Sequence, residues 1–468
     1  MNLTIRQIAE AVNGRLVCEE TEGAGQAFLD KSVDSVVLDS RQVTEGGVFI
    51  ATVGERVDGH TFVSSVFEKG AVLAIVQRLP KESEHWKSYI VVENSLQALK
   101  EIAESYRKSL RIPVVGITGS VGKTSTKEYI SGVLSEKYTV LRTEGNYNNE
   151  IGVPLTLLKI RPEHQVAVVE MGISDFGEMH RLSRMARPDI AVITNIGQCH
   201  LENLKTRDGI LKAKTEIFDF MPADGKVCLN GDDDKLQTVS GAGGRDIRFF
   251  GRSCMTAGNV YATDVTGNGL WGSTAILHNA AGEAYEVTIS QPGMHMVLNA
   301  AAAACVAELL GLSPAQIQTG IKKVEAVGGR NHLIHTERYT LIDDCYNANP
   351  VSMKAGIDLL GMADTDTVAI LGDMFELGEN SDALHAEVGA YAAQKGIHQI
   401  LCVGEHSKFM YEAALKQGTE SRVSYFGTRE ELLAALIADR TALLPDGSTV
   451  LIKASHGMKF SEVVERLK

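Results

Sequence analysis

The segment Gly116-Ile117-Thr118-Gly119-Ser120-Val121-Gly122-Lys123-Thr124-Ser125-Thr126 constrains the fold of this chain more than any other. It follows an apolar run, Ile112 to Val115, and leads into a helical pattern, so it reads as strand, tight loop and helix in succession. Glycines at 119 and 122 let the backbone fold tightly enough for successive N–H groups to point at phosphate oxygens, and the helix adds its positive end. Lys123 is placed to reach the outer phosphates, and the Thr124 hydroxyl to complete the coordination of a magnesium ion. The strict pattern GxxxxGK[ST] asks for Gly at 117; Ile117 makes this loop the variant GxxGKT.

At 468 residues the chain exceeds one hydrophobic core, so two to four domains are expected. Residues 1–108 mix short strands and helices, with alternation at Ser35–Leu38, Gly47–Val53 and Ala71–Gln77. Residues 109–327 carry the phosphate loop and two continuous apolar runs, Val166–Val169 and Ile190–Ile193, which read as buried parallel strands. A β-rich insert, Lys226 to Ser290, is expected before an Ala-rich helix near 294–310, and Ser313-Pro314 caps another helix. In 328–468, strands at Tyr339–Ile342, Thr367–Leu371, Gln399–Val403, Arg422–Phe426 and Thr449–Ile452 each precede a helical pattern. That alternation predicts a Rossmann-like sheet, yet none of its strands leads into G-x-G-x-x-G, so no dinucleotide site is read there. The fold class is thus α/β in three domains, with a central parallel sheet like that of a P-loop ATPase.

Charge and cysteines narrow the partners. The 46 Lys+Arg against 59 Asp+Glu give a net charge of −13, which repels a nucleic-acid backbone. Seven scattered cysteines without CxxC indicate neither a disulfide framework nor structural zinc, and fit a reducing cytoplasm. The opening Met1-Asn2-Leu3-Thr4 shows no signal pattern, and no stretch reaches the length of a membrane span.

Ligands of open parallel sheets sit beyond the carboxyl ends of the strands. Besides the loop, Glu170 and His200 fall at such ends. A carboxylate closing an apolar strand is costly unless it meets a metal, a hydrogen-bond partner or solvent, and beside Thr124 it makes a magnesium ligand. Lys214 is the sharper observation. On a helical wheel for Ile210 to Phe218 it falls in the middle of the face formed by Ile210, Leu211, Ala213, Ile217 and Phe218, while Lys212 projects oppositely. Such a lysine must snorkel, pair or lose its charge; a neutral amine can be carbamylated by carbon dioxide and hold a metal.

The loop GITGSVGKTST (116–126), VVEMGISDFGEMHRL (168–182), ITNIGQCHLENL (193–204) with AKTEIF (213–218), and DDCYNANPVSM (343–353) together resemble the Mur ligases. Tyr346 to Pro350 and Leu371 to Gly378 resemble the branch of that family that adds D-alanyl-D-alanine. The resemblance implies a cytoplasmic, monomeric ligase that uses ATP to phosphorylate the terminal carboxylate of UDP-N-acetylmuramoyl-tripeptide, after which the dipeptide amine attacks the acyl phosphate. It implies that Gly119, Ser120, Val121, Gly122, Lys123, Thr124 and Ser125 bind ATP phosphates. It also implies two Mg2+ ions, one on Thr124 and Glu170, the second organised by Glu170, His200 and carbamylated Lys214. Asn299 matches the adenine contact, Arg330 the γ-phosphate contact and Asp344 the ribose contact. Ser40 and Arg41, in Asp39-Ser40-Arg41, and the segment Asp58-Gly59-His60 resemble pieces that recognise the uridine nucleotide. Asn146, Asn148 and Asn149 lie where the family binds the muramoyl substrate, and Lys453 and Ser455 are candidate dipeptide contacts. The chain departs from the family at Lys205-Thr206, where Gly-Ser is usual, and at Ala454, where Gly is usual. A ligase of the same superfamily adding a single amino acid, or glutamate to a folate, is the near alternative. A nucleotide-dependent switch is the distant one, and it leaves Glu170, His200 and Lys214 without a task.

Overall fold

The computed structural model describes every residue except 2, 19–23, 55–56, 81–86 and 326–327, together with the side chains of all these but not of 24–26. Its centre is a nine-stranded sheet in the order Ala284–Ile289, Ser273–His278, Val260–Gly267, Asp246–Gly251, Lys226–Asn230, Ile190–Ile193, Val114–Thr118, Val166–Glu170, Val140–Arg142. The seven strands from Val260–Gly267 onward pair in parallel, and the first two add antiparallel. The strand side-chain period of two splits the apolar runs between two cores. Val114, Ala167, Val169, Ala191 and Ile193 face one side with helices Gly152–Leu157 and Glu178–Ala186. Val115, Ile117, Val166, Val168, Ile190 and Val192 face the other, under helices Lys123–Leu134 and Met294–Leu309. Each such buried Val or Ile side chain contributes ~1.5–3 kcal/mol, so strands covered on both faces must be apolar throughout.

The stretch Lys226 to Ser290 is not a separate insert. Lys226–Asn230 pairs in register with Ile190–Ile193, and the following strands extend the same sheet. Backbone groups at the sheet's edge need partners, and a β-rich segment beginning with a buried strand supplies them.

Two further sheets flank this one. Arg15–Val17, Tyr89–Val91, Leu73–Val76, Val48–Ile50 and Val36–Val37 form a five-stranded sheet in that order. Helix Ser95–Ser109 leads from it to the central sheet and shares a core with Leu157, Leu182 and Met185. Its Arg107 donates to the carbonyls of Ala186 (2.8 Å) and Arg187 (3.1 Å) and pairs with Asp189 at 2.8 Å. The expected boundary at 108 therefore lies in the last turn of a helix. The boundary at 327 lies outside the described residues. The C-terminal sheet runs His332–His335, Thr340–Asp343, Thr449–Lys453, Thr367–Gly372, Gln399–Val403, Arg422–Phe426, with only the first strand antiparallel. Its five expected strands are all present, and the edge strand His332–His335 was not expected. Among the described residues no helix is long and apolar enough to cross a membrane.

Candidate active site

Strand order explains why the phosphate loop, Glu170 and His200 converge. Val114–Thr118 lies between Ile190–Ile193 and Val166–Glu170, all parallel, so the loop after it is flanked by the loop after each neighbour. Gly119 (φ 149°) and Gly122 (φ 80°) take backbone conformations that a side chain would resist. At Gly119 space is exhausted as well: a Cβ there meets Thr194 Oγ1 at 1.9 Å.

The loop is tied to its neighbour. Ser120 N donates to Asn195 O (3.0 Å) and Val121 N to Asn195 Oδ1 (3.0 Å), while Thr194 Oγ1 donates to Val121 O (2.6 Å). Two of the amides expected to bind phosphate are thereby committed to Asn195. The amides of 122–125 remain, at the N-terminus of helix Lys123–Leu134, where helical geometry supplies no intrahelical acceptor. Lys123 Nζ donates to Gly119 O (2.8 Å), and burial pushes its pKa down.

Glu170 is 1% exposed. Its Oε2 accepts from Thr124 Oγ1 (2.8 Å), its Oε1 from Asn148 Nδ2 (2.8 Å), and Lys127 Nζ stands 4.0 Å from Oε2. A buried carboxylate is tolerable only with partners of this kind. His200 takes a left-handed backbone (φ 50°), and its Nδ1 lies 2.7 Å from Glu376 Oε2 of the C-terminal sheet. Lys214 is fully buried in helix Arg207–Thr215, as its apolar face predicts. Burial lowers its pKa to about 8, and nearby Lys123 pushes the same way. Thr126 Oγ1 donates to Asn299 Oδ1 (2.9 Å), which fixes the asparagine beside the loop.

The C-terminal segment closes the other wall. The Arg330 guanidinium sits 4.1 Å over the Tyr346 ring. Asp344 pairs with buried Lys453 at 2.5 Å and accepts from Asn331 N at 3.3 Å. Asn331 Nδ2 lies 2.9 Å from His295 Nε2, joining this segment to helix Met294–Leu309. All these surfaces border one cavity of about 1160 Å³, lined also by Lys100, Asn146, Asn149 and Glu150. That volume exceeds a typical single-ligand pocket and admits a nucleotide beside a second substrate.

Six of the expected residues stand apart from this wall: Gly119, Thr124, Lys214, Ser40, Arg41 and Ser455. Lys214 lies behind it. Ser40 and Arg41 are on the N-terminal sheet's side, where Arg41 pairs with Asp39 at 2.7 Å and holds that carboxyl at a pKa of about 2. Ser455 is buried, its Oγ accepting from Phe375 N at 2.9 Å. Asn149 caps the following turn through Gly152 N (2.9 Å).

Comparison with known proteins now adds to the geometry. Residues 32–123 match the Mur ligase family catalytic domain, 117–307 the Mur ligase middle domain, and 329–456 the Mur ligase glutamate ligase domain. The chain belongs to the Mur ligase family. It is 35% identical over 467 residues to UDP-N-acetylmuramoyl-tripeptide–D-alanyl-D-alanine ligase of Bacillus subtilis (strain 168), covering 99% of this chain and 98% of that one. The crystal structure of MurF from Acinetobacter baumannii superposes with a TM-score of 0.87 at 32% identity, over 99% of this chain and 98% of that chain. The MurF ligase of Thermotoga maritima in complex with ADP gives a TM-score of 0.80 at 29% identity, over 92% of this chain and 96% of that chain.

Sequence reasoning about this Mur ligase missed Asn195, His295, Asn331, Lys127 and Glu376. Asn195 stands next to a predicted strand end and was open to the same argument that found His200. His295 and Asn331 meet from segments 36 residues apart, a pairing only the fold reveals.

Proposed function

We infer that this Mur ligase is an ATP-dependent, ADP-forming enzyme that joins D-alanyl-D-alanine to UDP-N-acetylmuramoyl-tripeptide in peptidoglycan precursor synthesis. One observation carries the reading. A single cavity brings the phosphate loop, Glu170, His200, Arg330 and Asp344 together in a chain that matches dipeptide-adding ligases end to end. That end-to-end match favours the dipeptide over a folate or a lone amino acid as the other substrate.

A carboxylate is a poor electrophile, and phosphorylation supplies the leaving group that amide formation needs. Lys123 leaves the Gly119 carbonyl to hold the outer phosphates together with the amides of 122–125, in a site dry enough to strengthen each contact. Arg330, kept flat by Tyr346, reaches the γ-phosphate; Asn299 meets adenine and Asp344 the ribose.

Thr124 and Glu170 offer hard oxygen donors in contact with each other, which suits Mg2+. Among the described residues no three His, Cys, Asp or Glu side chains converge, so an ion held here would draw its remaining ligands from water and phosphate, which suits Mg2+. When bound, Mg2+ neutralises charge between the γ-phosphate and the acceptor carboxylate. Lys214, with a pKa of about 8, is partly neutral at physiological pH and fit to add carbon dioxide; a carbamate there, with Glu170 and His200, would be the set to hold a second Mg2+.

Ser40 and Arg41 serve the uridine nucleotide, and Asn146, Asn148 and Asn149 the muramoyl peptide. Lys453 and Ser455 are the candidate dipeptide contacts, held in place by Asp344 and Phe375. We assign residues 1–108, 109–327 and 328–468 to three domains of a monomer acting in the cytoplasm. The reading is tested by phosphate release and mass spectrometry. Release must require both UDP-N-acetylmuramoyl-tripeptide and D-alanyl-D-alanine and must yield the pentapeptide; robust turnover without either contradicts it.

A further inference from the structure

Glu376 reaches out of the C-terminal sheet to a residue of the central one. It follows strand Thr367–Gly372, and its Oε2 lies 2.7 Å from Nδ1 of His200, which follows strand Ile190–Ile193. Neither residue is glycine, yet both hold left-handed backbone, φ 62° at Glu376 and 50° at His200. Such backbone is unfavourable for a residue with a side chain and persists only where the surroundings impose it.

The surroundings of Glu376 do so. Met374 N donates to His385 Nε2 (2.9 Å), whose Nδ1 is bonded to Ser381 O (2.7 Å). Phe375 N donates to Ser455 Oγ (2.9 Å), and Asp373 accepts from both Ser407 N (2.7 Å) and Ser407 Oγ (2.6 Å). Three successive residues are thus anchored to the C-terminal sheet, and the fourth is presented across the cleft. On the far side, a Cβ on Gly378 would stand 3.8 Å from the Glu202 backbone, so the two loops approach closely.

We propose that Glu376 is a positioning residue for His200: its carboxylate accepts a hydrogen bond from Nδ1–H, fixes the imidazole tautomer and leaves Nε2 as the nitrogen available to the cavity. A carboxylate behind a functional histidine sets ring orientation and basicity in this way. Since Glu376 belongs to the C-terminal sheet and His200 to the central one, the histidine is correctly set only while the two are docked. Engagement of the dipeptide-binding half and completion of the ATP site are thereby coupled. The proposal rests on the assigned role of His200 and extends it to a second residue.

The test uses the full-length protein labelled with 15N-histidine. In the wild type His200 should show a protonated Nδ1 and a bare Nε2. Glu376→Gln should move it toward the other tautomer and lower kcat about 10- to 100-fold, with the KM for ATP changed less than threefold. Glu376→Asp should recover part of kcat. In a His200→Ala background, Glu376→Gln should cost less than threefold, because its partner is gone. An unchanged His200 tautomer in Glu376→Gln, or an equal kcat loss in both backgrounds, overturns the proposal. Since the NMR readout needs no turnover, it separates this failure from failure of the ligase reading, which wild-type product analysis decides.

Discussion

Replacing either glycine of the phosphate loop by alanine adds one methyl group, yet the two changes should differ by about 5- to 150-fold. At Gly122 the new Cβ meets only Asn299 Oδ1, at 3.8 Å, so the cost is that of a left-handed φ (80°), ~1–2 kcal/mol. That weakens nucleotide binding by about 5- to 30-fold. At Gly119 the Cβ falls 1.9 Å from Thr194 Oγ1, 3.1 Å from Thr194 Cβ and 3.2 Å from Asn195 N. Thr194 cannot simply rotate, because its hydroxyl holds Val121 O at 2.6 Å. Overpacking of this kind adds ~1–3 kcal/mol to the backbone strain, for a total of ~2–5 kcal/mol and a loss of about 30- to 4000-fold in ADP affinity. Isothermal titration of each variant with ADP, alongside thermal melts, makes the comparison. Binding by Gly119→Ala within threefold of wild type, or equal losses at the two positions, refutes the reasoning.

Three other outcomes follow from named contacts. Lys453→Met strands Asp344 as a buried charge and should destabilise the protein by ~3–5 kcal/mol in urea unfolding, a loss that adding Asp344→Asn partly restores. Lys214→Ala should abolish ligation while ADP affinity stays within threefold, and 13C-bicarbonate should give the wild type a carbamate NMR signal that the variant lacks. His385 is buried and neutral, with its pKa pushed below the ordinary value of about 6.5 by burial. The unfolded chain therefore takes up this proton first as pH falls through about 6.5, so stability should decline below that pH and recover above it. Urea unfolding between about pH 5 and 8 should show a shallower slope in His385→Gln than in the wild type.

Much of the architecture was written in local pattern. Continuous apolar runs such as Val166–Val169 marked strands buried on both faces, and the alternation after Tyr339 marked the C-terminal sheet. The pull of Lys214 into an apolar face also emerged from periodicity alone, because a helix displays one residue in every 3.6 toward the same neighbour. What sequence could not disclose were relations between distant segments. That Lys226 to Ser290 extends the central sheet depends on edge pairing, which leaves no mark in a strand's own residues. Likewise the Asn195 bonds that occupy two loop amides, and the Glu376 contact to His200, are facts of tertiary placement. That the Ser455 oxygen accepts from the Phe375 amide is likewise visible only in the fold.

The central claim is that the acceptor carboxylate is activated by phosphorylation within the cavity before the dipeptide amine attacks. Labelling the terminal carboxylate of UDP-N-acetylmuramoyl-tripeptide with 18O and analysing the phosphate released on ligation to D-alanyl-D-alanine tests it directly. An acyl phosphate hands one labelled oxygen to phosphate and keeps the other in the new amide. Phosphate released without label during productive ligation contradicts the account.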